Sequence, residues 1–521
     1  MIDGARVERI NIVADGGVVA PEIVYSTDIT SMVDAAEAAL GSLDVVYTRA
    51  RSLVRVVHDR SETHGLKYPK GQPVVACIGP EHLRELVNRS AVWIAITTSK
   101  KTGESERRRV MVPPIVPATL MDRGEWDLPP LEGVTNSPVL RADGTILDTP
   151  GYDPATRLIY EPNGVTFPKV ATKPTQADAA KALTEMLEPF SEMPFVAESD
   201  RMAAAALILT LIGRAAIDGS TPMFTTRAPT PGSGKGLILD VAAMIATGRL
   251  APKRAAIAND EELRKALFAY AIEAPAMVVL DNAEGAVGSP VLAAVLTTGT
   301  ISDRMLGVSQ TRSCSLRFVM AVTGNNLTFR GDLGRRIIPI DLDPRVEHAE
   351  DREFLRKDLI AFVEANRPRF VVAALTVLRA FYVAGRPSHG HPSKGSYEAW
   401  DRLVRGSIMF AGGADPLGGI ERIRQDGDED LDRLRAMLSA WDAAFGSMPK
   451  TIAEAIKFAG KEGALHDSMV VYCRSGTLES KPIASAFRKL RGRIAGGREL
   501  VREEKADRNG VMSWFVRTIE H

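Results

Sequence analysis

The sequence predicts an α/β protein organised on a central parallel sheet, with further domains on both sides of it. Three observations predict this. Residues 276–281 (Ala-Met-Val-Val-Leu-Asp), 318–324 (Phe-Val-Met-Ala-Val-Thr-Gly) and 337–341 are apolar runs of strand length separated by helical patterns. Strands without an alternating polar face belong in a sheet covered on both sides, and strands alternating with helices imply parallel pairing. Residues 222–240 read as a short apolar strand (Met223–Thr226), a Gly/Pro-rich loop and an apolar helix. Finally, 521 residues exceed what one hydrophobic core supports, so two to four domains of roughly 100–200 residues are expected.

Residues 1–172 alternate short β-rich runs (Val45–Tyr47, Leu53–Val57, Pro73–Cys77, Val92–Thr97) with helical patterns at Ile29–Leu40 and Pro80–Asn88. They predict a mixed α/β domain, of no assigned role. Prolines at 113–114 and 129–130 and turn signals at Gly144, Pro150-Gly151 and Asn163-Gly164 restrict its second half to small strands and extended crossings. The basic run Lys100–Arg109, which includes Glu104 and Glu106, reads as a solvated loop, with a nucleic-acid backbone contact as the alternative. No acid cluster of the polymerase or primase kind is visible there, so priming is expected of a partner.

A boundary falls at Lys173-Pro174-Thr175. Asp178–Leu187 and Ser199–Ile217 follow as helices, with Thr175 and Ser199 as candidate N-caps. The apolar run Ala203–Ile212 is too short for a bilayer, which needs about 20 residues, and reads as a buried helix. The loop Gly232-Ser233-Gly234-Lys235-Gly236 then opens a helix running to Thr247. Such a loop presents successive backbone N–H groups at a helix N-terminus, where the dipole also favours phosphate, and a lysine adds a mobile charge for the outer phosphates. It reads as a P-loop for ATP with two departures from G-x-x-x-x-G-K-[ST]: Pro229 stands for the first glycine, and Gly236 for the hydroxyl residue that ligates Mg²⁺.

Nucleotides bind where strand C-termini meet helix N-termini, so residues ending several strands of one sheet should converge. Asp281 ends the strand 46 residues beyond Lys235 and is the candidate catalytic acid and Mg²⁺ ligand. Asn282 stands where many ATPases place a glutamate, which leaves the base open among Glu284, Glu261 and Glu262. Asn325, beside Asn326, ends the next strand and can hydrogen-bond the γ-phosphate or the attacking water. Arg335 and Arg336, ten residues on, are candidates for a cation delivered by a neighbouring subunit.

Lys235, Asp281, Thr323-Gly324-Asn325-Asn326 and Gly331-Asp332-Leu333-Gly334-Arg335-Arg336 together resemble the AAA+ ATPase core of virus-type superfamily 3 helicases, as in the primase-associated helicases and replication initiators of phages, plasmids and mobile islands. The resemblance covers roughly residues 175–365. It implies a hexameric homo-oligomer threading DNA, with a β-hairpin ahead of the asparagine strand as the gripping element. The stretch 301–318 fits such a hairpin, with Arg304, Gln310 and Arg312 near its tip to follow a phosphate backbone.

Beyond residue 345 the pattern is helical to about 449 (Leu355–Glu364, Pro368–Ala384, Tyr397–Phe410, Asp428–Phe445), predicting a lid on the ATPase core. His348, His389 and His391 show no metal-ligand spacing and read as loop histidines. Residues 450–521 predict a winged helix: helices ending in Lys481–Ile494, then two strands around Asn509-Gly510, a strong hairpin signal. From Lys481 onward there are ten Lys/Arg against five Asp/Glu, in a chain with 65 of each. Arg488, Lys489, Arg491 and Arg493 on the third helix, with Arg508 on the wing, suit duplex DNA; a protein-docking module is the alternative.

The balanced global charge confines any DNA affinity to such local patches. Cys77, Cys314 and Cys473 lack C-x-x-C spacing, and no basic-then-apolar leader opens the sequence, so a cytoplasmic protein with reduced thiols and no membrane partner is expected. The leading expectation is an ATP-dependent DNA helicase or translocase, with ATP and Mg²⁺, of a mobile-element replication system. An ATP-regulated DNA-binding initiator or scaffold with little hydrolysis is the alternative that Gly236 and Asn282 favour. A metabolic P-loop kinase, a third reading, predicts a monomer with a small acceptor pocket.

Overall fold

The computed structural model describes residues 20–58, 73–257, 259–304, 311–346, 348–349, 352, 354–427, 429–473, 475–503 and 511–519, without the side chains of 326, 424–427 and 429–431. Gln310, Arg508 and the Asn509-Gly510 turn lie outside these residues. The chain divides into two compact units, one of residues up to 328 together with 332–421, the other of residues 422–521 with 329–331.

The first unit is built on a five-stranded sheet. Its strands, in spatial order, are Lys253–Ala255, Met277–Val287, Val319–Phe329, Met223–Ala228 and Ile337–Asp341. We call Met223–Ala228 the loop strand, Met277–Val287 the acid strand and Val319–Phe329 the amide strand. The loop strand pairs in parallel with the amide strand and with Ile337–Asp341, and Lys253–Ala255 pairs in parallel with the acid strand. The acid and amide strands run the same way: Val319 N donates to Ala276 O (2.9 Å) before Asn282 N donates to Thr323 Oγ1 (3.0 Å). The acid and amide strands extend beyond the expected apolar runs, to Val287 and Phe329.

Every residue of the loop strand is buried, which explains its lack of polar alternation. Helix Glu198–Gly213 is buried along nearly its whole length, as the run Ala203–Ile212 implies. Its start differs from the expected Ser199 cap. The helix begins one residue earlier, and the Asp200 carboxylate reaches back to the Ala197 N–H (3.0 Å), a shorter route to an orphan donor than a serine hydroxyl inside the helix. Thr175 does cap helix Gln176–Met186, through a reciprocal box with Asp178.

Helix Arg367–Val383 packs on both of these helices in the same core. Arg367 donates to Ile245 O (3.0 Å), Ala246 O (3.3 Å) and Asn136 O (2.8 Å). It thereby satisfies carbonyls at the C-terminal end of helix Lys235–Thr247, where a cation is also favoured by the dipole.

The N-terminal residues form small sheets in the same unit: Glu22–Val24 with Val92–Thr98 and Ser105–Arg109, Tyr47–Arg49 with Ser52–His58 and Pro73–Cys77, and Gly133–Thr135 with Gly151–Asp153 and Leu158–Tyr160. The basic run read as a loop is in part an exposed edge strand, Ser105–Arg109, paired antiparallel with Val92–Thr98. Its consecutive charges hide the period of two, because neither face is buried.

These sheets are tied to the core around the five-stranded sheet through Arg49. Its guanidinium donates to Ala271 O (2.7 and 3.0 Å), Leu131 O (2.9 Å), Ser315 O (3.2 Å) and Glu132 Oε2 (3.1 Å). Burial raises the Glu132 pKa, but Arg49 and Arg317 beside it outweigh this and hold the carboxyl below its usual range. Arg49→Met, which keeps the bulk, is expected to destabilise this unit by about 3–5 kcal/mol, because the carbonyls and the carboxylate lose their donor. Glu132 contributes stability above its unfolded pKa and loses it as pH falls through the folded value; the variant should show a weaker acid-side slope in urea unfolding.

The second unit holds helices Glu429–Phe445, Ile452–Ala459, Ala464–Val470 and Ser480–Leu490 and an antiparallel sheet ordered Lys450–Thr451, Ser513–Thr518, Arg498–Arg502, Ile494–Ala495. Helix 429–445, expected in the lid, belongs to this core: Leu434, Met437, Leu438, Trp441 and Phe445 cluster with Phe487 and Trp514. The basic helix also ends early, at Leu490, because Gly492 adopts φ +76° and Ile494 begins a strand. Arg491 and Arg493 are therefore not on that helix. They remain exposed alongside Arg488 and Lys489, while Ile483, Phe487 and Leu490 face the core. No helix among the described residues is long and apolar enough to cross a membrane.

Candidate functional site

The loop strand ends at Ala228, and the chain turns through residues 229–234 into helix Lys235–Thr247. Gly232 and Gly234 adopt φ +72° and +87°, conformations that leave a path for backbone N–H groups to point into the turn. Leu237 N and Ile238 N donate to Gly234 O (3.0 and 3.3 Å), which leaves the Lys235 and Gly236 N–H groups without an acceptor among the described residues and able to hold phosphate oxygens. Lys235 Nζ donates to Thr230 O (3.0 Å). Burial pulls the Lys235 pKa down and the Asp281 carboxylate opposes this, which places the two charges in one electrostatic neighbourhood.

Ser233 does not take the place of the missing hydroxyl. It is buried, and its Oγ donates to Thr230 O (2.6 Å) and lies 3.1 Å from Thr230 Oγ1.

Asp281 sits opposite Ala255 and two strands from the loop strand, with the amide strand between. Thr323 Oγ1 donates to Asp281 Oδ1 (2.6 Å) and accepts from Asn282 N (3.0 Å). This threonine relay fixes the carboxylate and was not singled out from the sequence as a separate functional residue; its place in the Thr-Gly-Asn-Asn turn was the available signal. Asn282 lies at φ +54° and is exposed, a left-handed conformation that asparagine tolerates better than glutamate. The backbone thus gives a reason for the missing second acid. Of the alternative bases, Glu261 and Glu262 pair with Lys265 (3.0 and 2.9 Å), and Glu284 is exposed beyond Asp281.

Asn325 lies beside Ala228 in register, at the mouth of the loop. Its Oδ1 is buried and has no protein partner among the described residues, a costly condition unless something else donates to it. The strand just before it is tightly packed: a Cβ on Gly324 would land on the Ala283 carbonyl and 2.6 Å from Leu327 Cδ2. Gly324→Ala is therefore expected to cost about 3 kcal/mol in unfolding free energy and to break the Thr323–Asp281 bond. Denaturant unfolding together with nucleotide titration checks both effects.

Arg335 and Arg336 lie elsewhere. They end the 3₁₀ turn Gly331–Arg336 just before Ile337, which pairs with Met223 at the opposite end of the loop strand from Ala228. Five residues of strand put about 17 Å between these ends, so the pair does not converge with Lys235, Asp281 and Asn325 within one chain. The two arginines also differ. Arg336 is buried and donates to Thr297 Oγ1 (2.6 Å) and Asp332, whereas Arg335 is exposed and pairs with Asp332.

The hairpin strands Thr300–Arg304 and Thr311–Ser315 pair antiparallel. Arg304 is exposed near the tip. Arg312, expected there as a backbone contact, instead donates to Ser52 Oγ of the N-terminal sheets. His389 lies in a loop, as expected, and its Nε2 is 3.0 Å from Asp401 Oδ2. No cluster of potential metal ligands occurs among the described residues.

No protein-family model matches the chain, and no curated protein matches it. Solved structures of similar layout include the apo A form of the NrS-1 C-terminal region, at 10% identity over 85% of this chain and 99% of that one, with a TM-score of 0.37. The JCV helicase is 14% identical over 51% of this chain and 72% of its own, with a TM-score of 0.22. The active helicase Cch of SCCmec type IV is 10% identical over 91% and 97%, with a TM-score of 0.31. Superpositions this loose carry no weight for the chemistry, which rests on the site's own geometry.

Proposed function

We propose that this chain is an ATP-dependent motor acting on DNA, of the helicase or replication-initiator kind, with an AAA+ core that works as a homo-oligomer, most simply a hexameric ring. The observation that carries the reading is the placement of Lys235, Asp281 and Asn325 at one end of neighbouring strands, with exposed Arg335 at the other end. A cation that cannot reach its own loop is suited to serve a neighbour's.

In this reading the loop N–H groups and Lys235 hold the β- and γ-phosphates, and Asp281, held by Thr323, faces the Mg²⁺. The orphan Oδ1 of Asn325 accepts from the attacking water and orients it. Arg335 of an adjacent subunit spreads the developing charge, while Arg336 acts on it through Asp332 as a positioning residue. Arg304 on the hairpin follows single-stranded DNA in the pore. The second unit, read as a winged helix, meets duplex DNA with Arg488, Lys489, Arg491 and Arg493. Priming falls to a primase or polymerase partner.

Exposed Asn282 and the hydroxyl-less Gly236 favour a second reading, an ATP-regulated DNA-binding initiator or scaffold with little turnover. Single-turnover ATP hydrolysis with and without single-stranded DNA separates the two. DNA-stimulated hydrolysis supports the motor; ATP-dependent oligomers without hydrolysis support the scaffold; a monomer that neither assembles nor responds to DNA contradicts both.

A further inference from the structure

The space that the missing hydroxyl of Gly236 would enter is taken by another group. A Cβ built on Gly236 would lie 3.1 Å from Lys253 Nζ and 3.6 Å from Lys253 Cε. Lys253 comes from the edge strand beside the acid strand, and its Nζ is held by Asp240 Oδ2 (2.6 Å), one helical turn beyond Gly236. Asp240 is buried and also accepts from Ala251 N (3.2 Å), so the carboxylate that presents the ammonium is itself fixed. At the second position of this helix a P-loop ordinarily offers a hydroxyl to Mg²⁺. Here the helix offers no oxygen, Ser233 is turned onto Thr230, and a positive charge already stands at the place. The residues on the helix side therefore do not fit an inner-sphere metal; only Asp281, from across the site, can face one.

We propose that the Lys253 ammonium is a second phosphate-binding cation of this site, in place of the helix-side half of the usual metal site, and that nucleotide affinity is consequently almost independent of Mg²⁺. The inference rests on the ATP-binding reading above and names how that site recognises the triphosphate. A side chain at 236 would crowd the ammonium, which glycine leaves undisturbed. Lys253 has a flexible stem and three donors, so it can keep one bond to Asp240 while donating another to a phosphate oxygen. A charge-assisted bond of this kind is worth about tenfold or more in affinity.

The test is a fluorescence titration of the full chain with a non-hydrolysable ATP analogue, in EDTA and in Mg²⁺. The wild-type affinity is expected to differ by less than about threefold between the two conditions. Lys253→Met is expected to weaken binding in EDTA by about tenfold, with Lys253→Gln as a second variant should the first fail to fold. Gly236→Thr combined with Lys253→Ala, which restores the hydroxyl and clears its space, should make binding strongly Mg²⁺-dependent. A wild-type affinity that rises a hundredfold with Mg²⁺, or Lys253 variants that bind as wild type in EDTA, would overturn the proposal. Lys235→Ala separates the two levels: if the wild type binds and this variant does not, a failure at Lys253 sinks only the second cation, whereas a wild type that binds no nucleotide sinks the ATP reading itself.

Discussion

Lys235→Ala is expected to raise the dissociation constant for ATP by about a hundredfold and to reduce hydrolysis to background. The side chain opens the helix at the mouth of the loop, and its Nζ rests on the Thr230 carbonyl, within reach of the outer phosphates by rotation of its stem. Burial lowers its pKa while Asp281 sustains its charge, so the ammonium is partly desolvated and its bond to a phosphate correspondingly strong. No other described lysine donates within the loop in the same way. Fluorescence titration and steady-state ATPase assays check both halves. Unchanged circular dichroism is also expected, because among the described residues the side chain hydrogen-bonds only the Thr230 carbonyl, within the loop itself. A variant that binds ATP as the wild type does would remove the loop from the phosphate site.

Arg335→Ala is expected to lower the hydrolysis rate by about 10³–10⁵-fold while leaving ATP affinity within about threefold, the signature of a group that acts on the transition state from outside the binding pocket. Arg336→Ala should behave differently. Its guanidinium is buried against Thr297 and Asp332, so its removal costs stability as well as rate, and a lowered unfolding midpoint should accompany the lost turnover. Equal losses with no change in stability for either variant would show that the exposed and the buried arginine are interchangeable, against the geometry.

The central sheet is legible because its strands are buried on both faces and therefore uninterrupted by polar residues; that Lys235, Asp281 and Asn325 lie toward one end of that sheet is legible because parallel strands bring like ends together whatever the connections do. What escaped the sequence depends on pairing between distant segments. Thr323 looks like a turn residue until the amide strand is laid beside Asp281. Arg49, 222 residues before its main acceptor Ala271, carries no local signal of its role. Arg335 and Arg336 are adjacent and chemically identical, and only the burial of one against Thr297 separates them. Helix 429–445 follows the lid helices in the same helical pattern, but its apolar face of Leu434, Met437, Leu438 and Trp441 finds its partner among the later helices. Arg491 and Arg493 fall off the basic helix because Gly492 between them takes a positive φ, a property of the folded backbone that composition does not signal.

The most direct measurement mixes Lys235→Ala subunits, which keep Arg335 but lack a working loop, with Arg335→Ala subunits, which keep the loop but lack the arginine. Each variant alone is expected to be inactive. If the arginine crosses to a neighbour's nucleotide, mixed assemblies contain junctions where an intact loop faces an intact Arg335, and ATP hydrolysis should return to a sizeable fraction of wild type. Activity that stays at background at every mixing ratio, in assemblies shown by mass to contain both variants, would contradict the account.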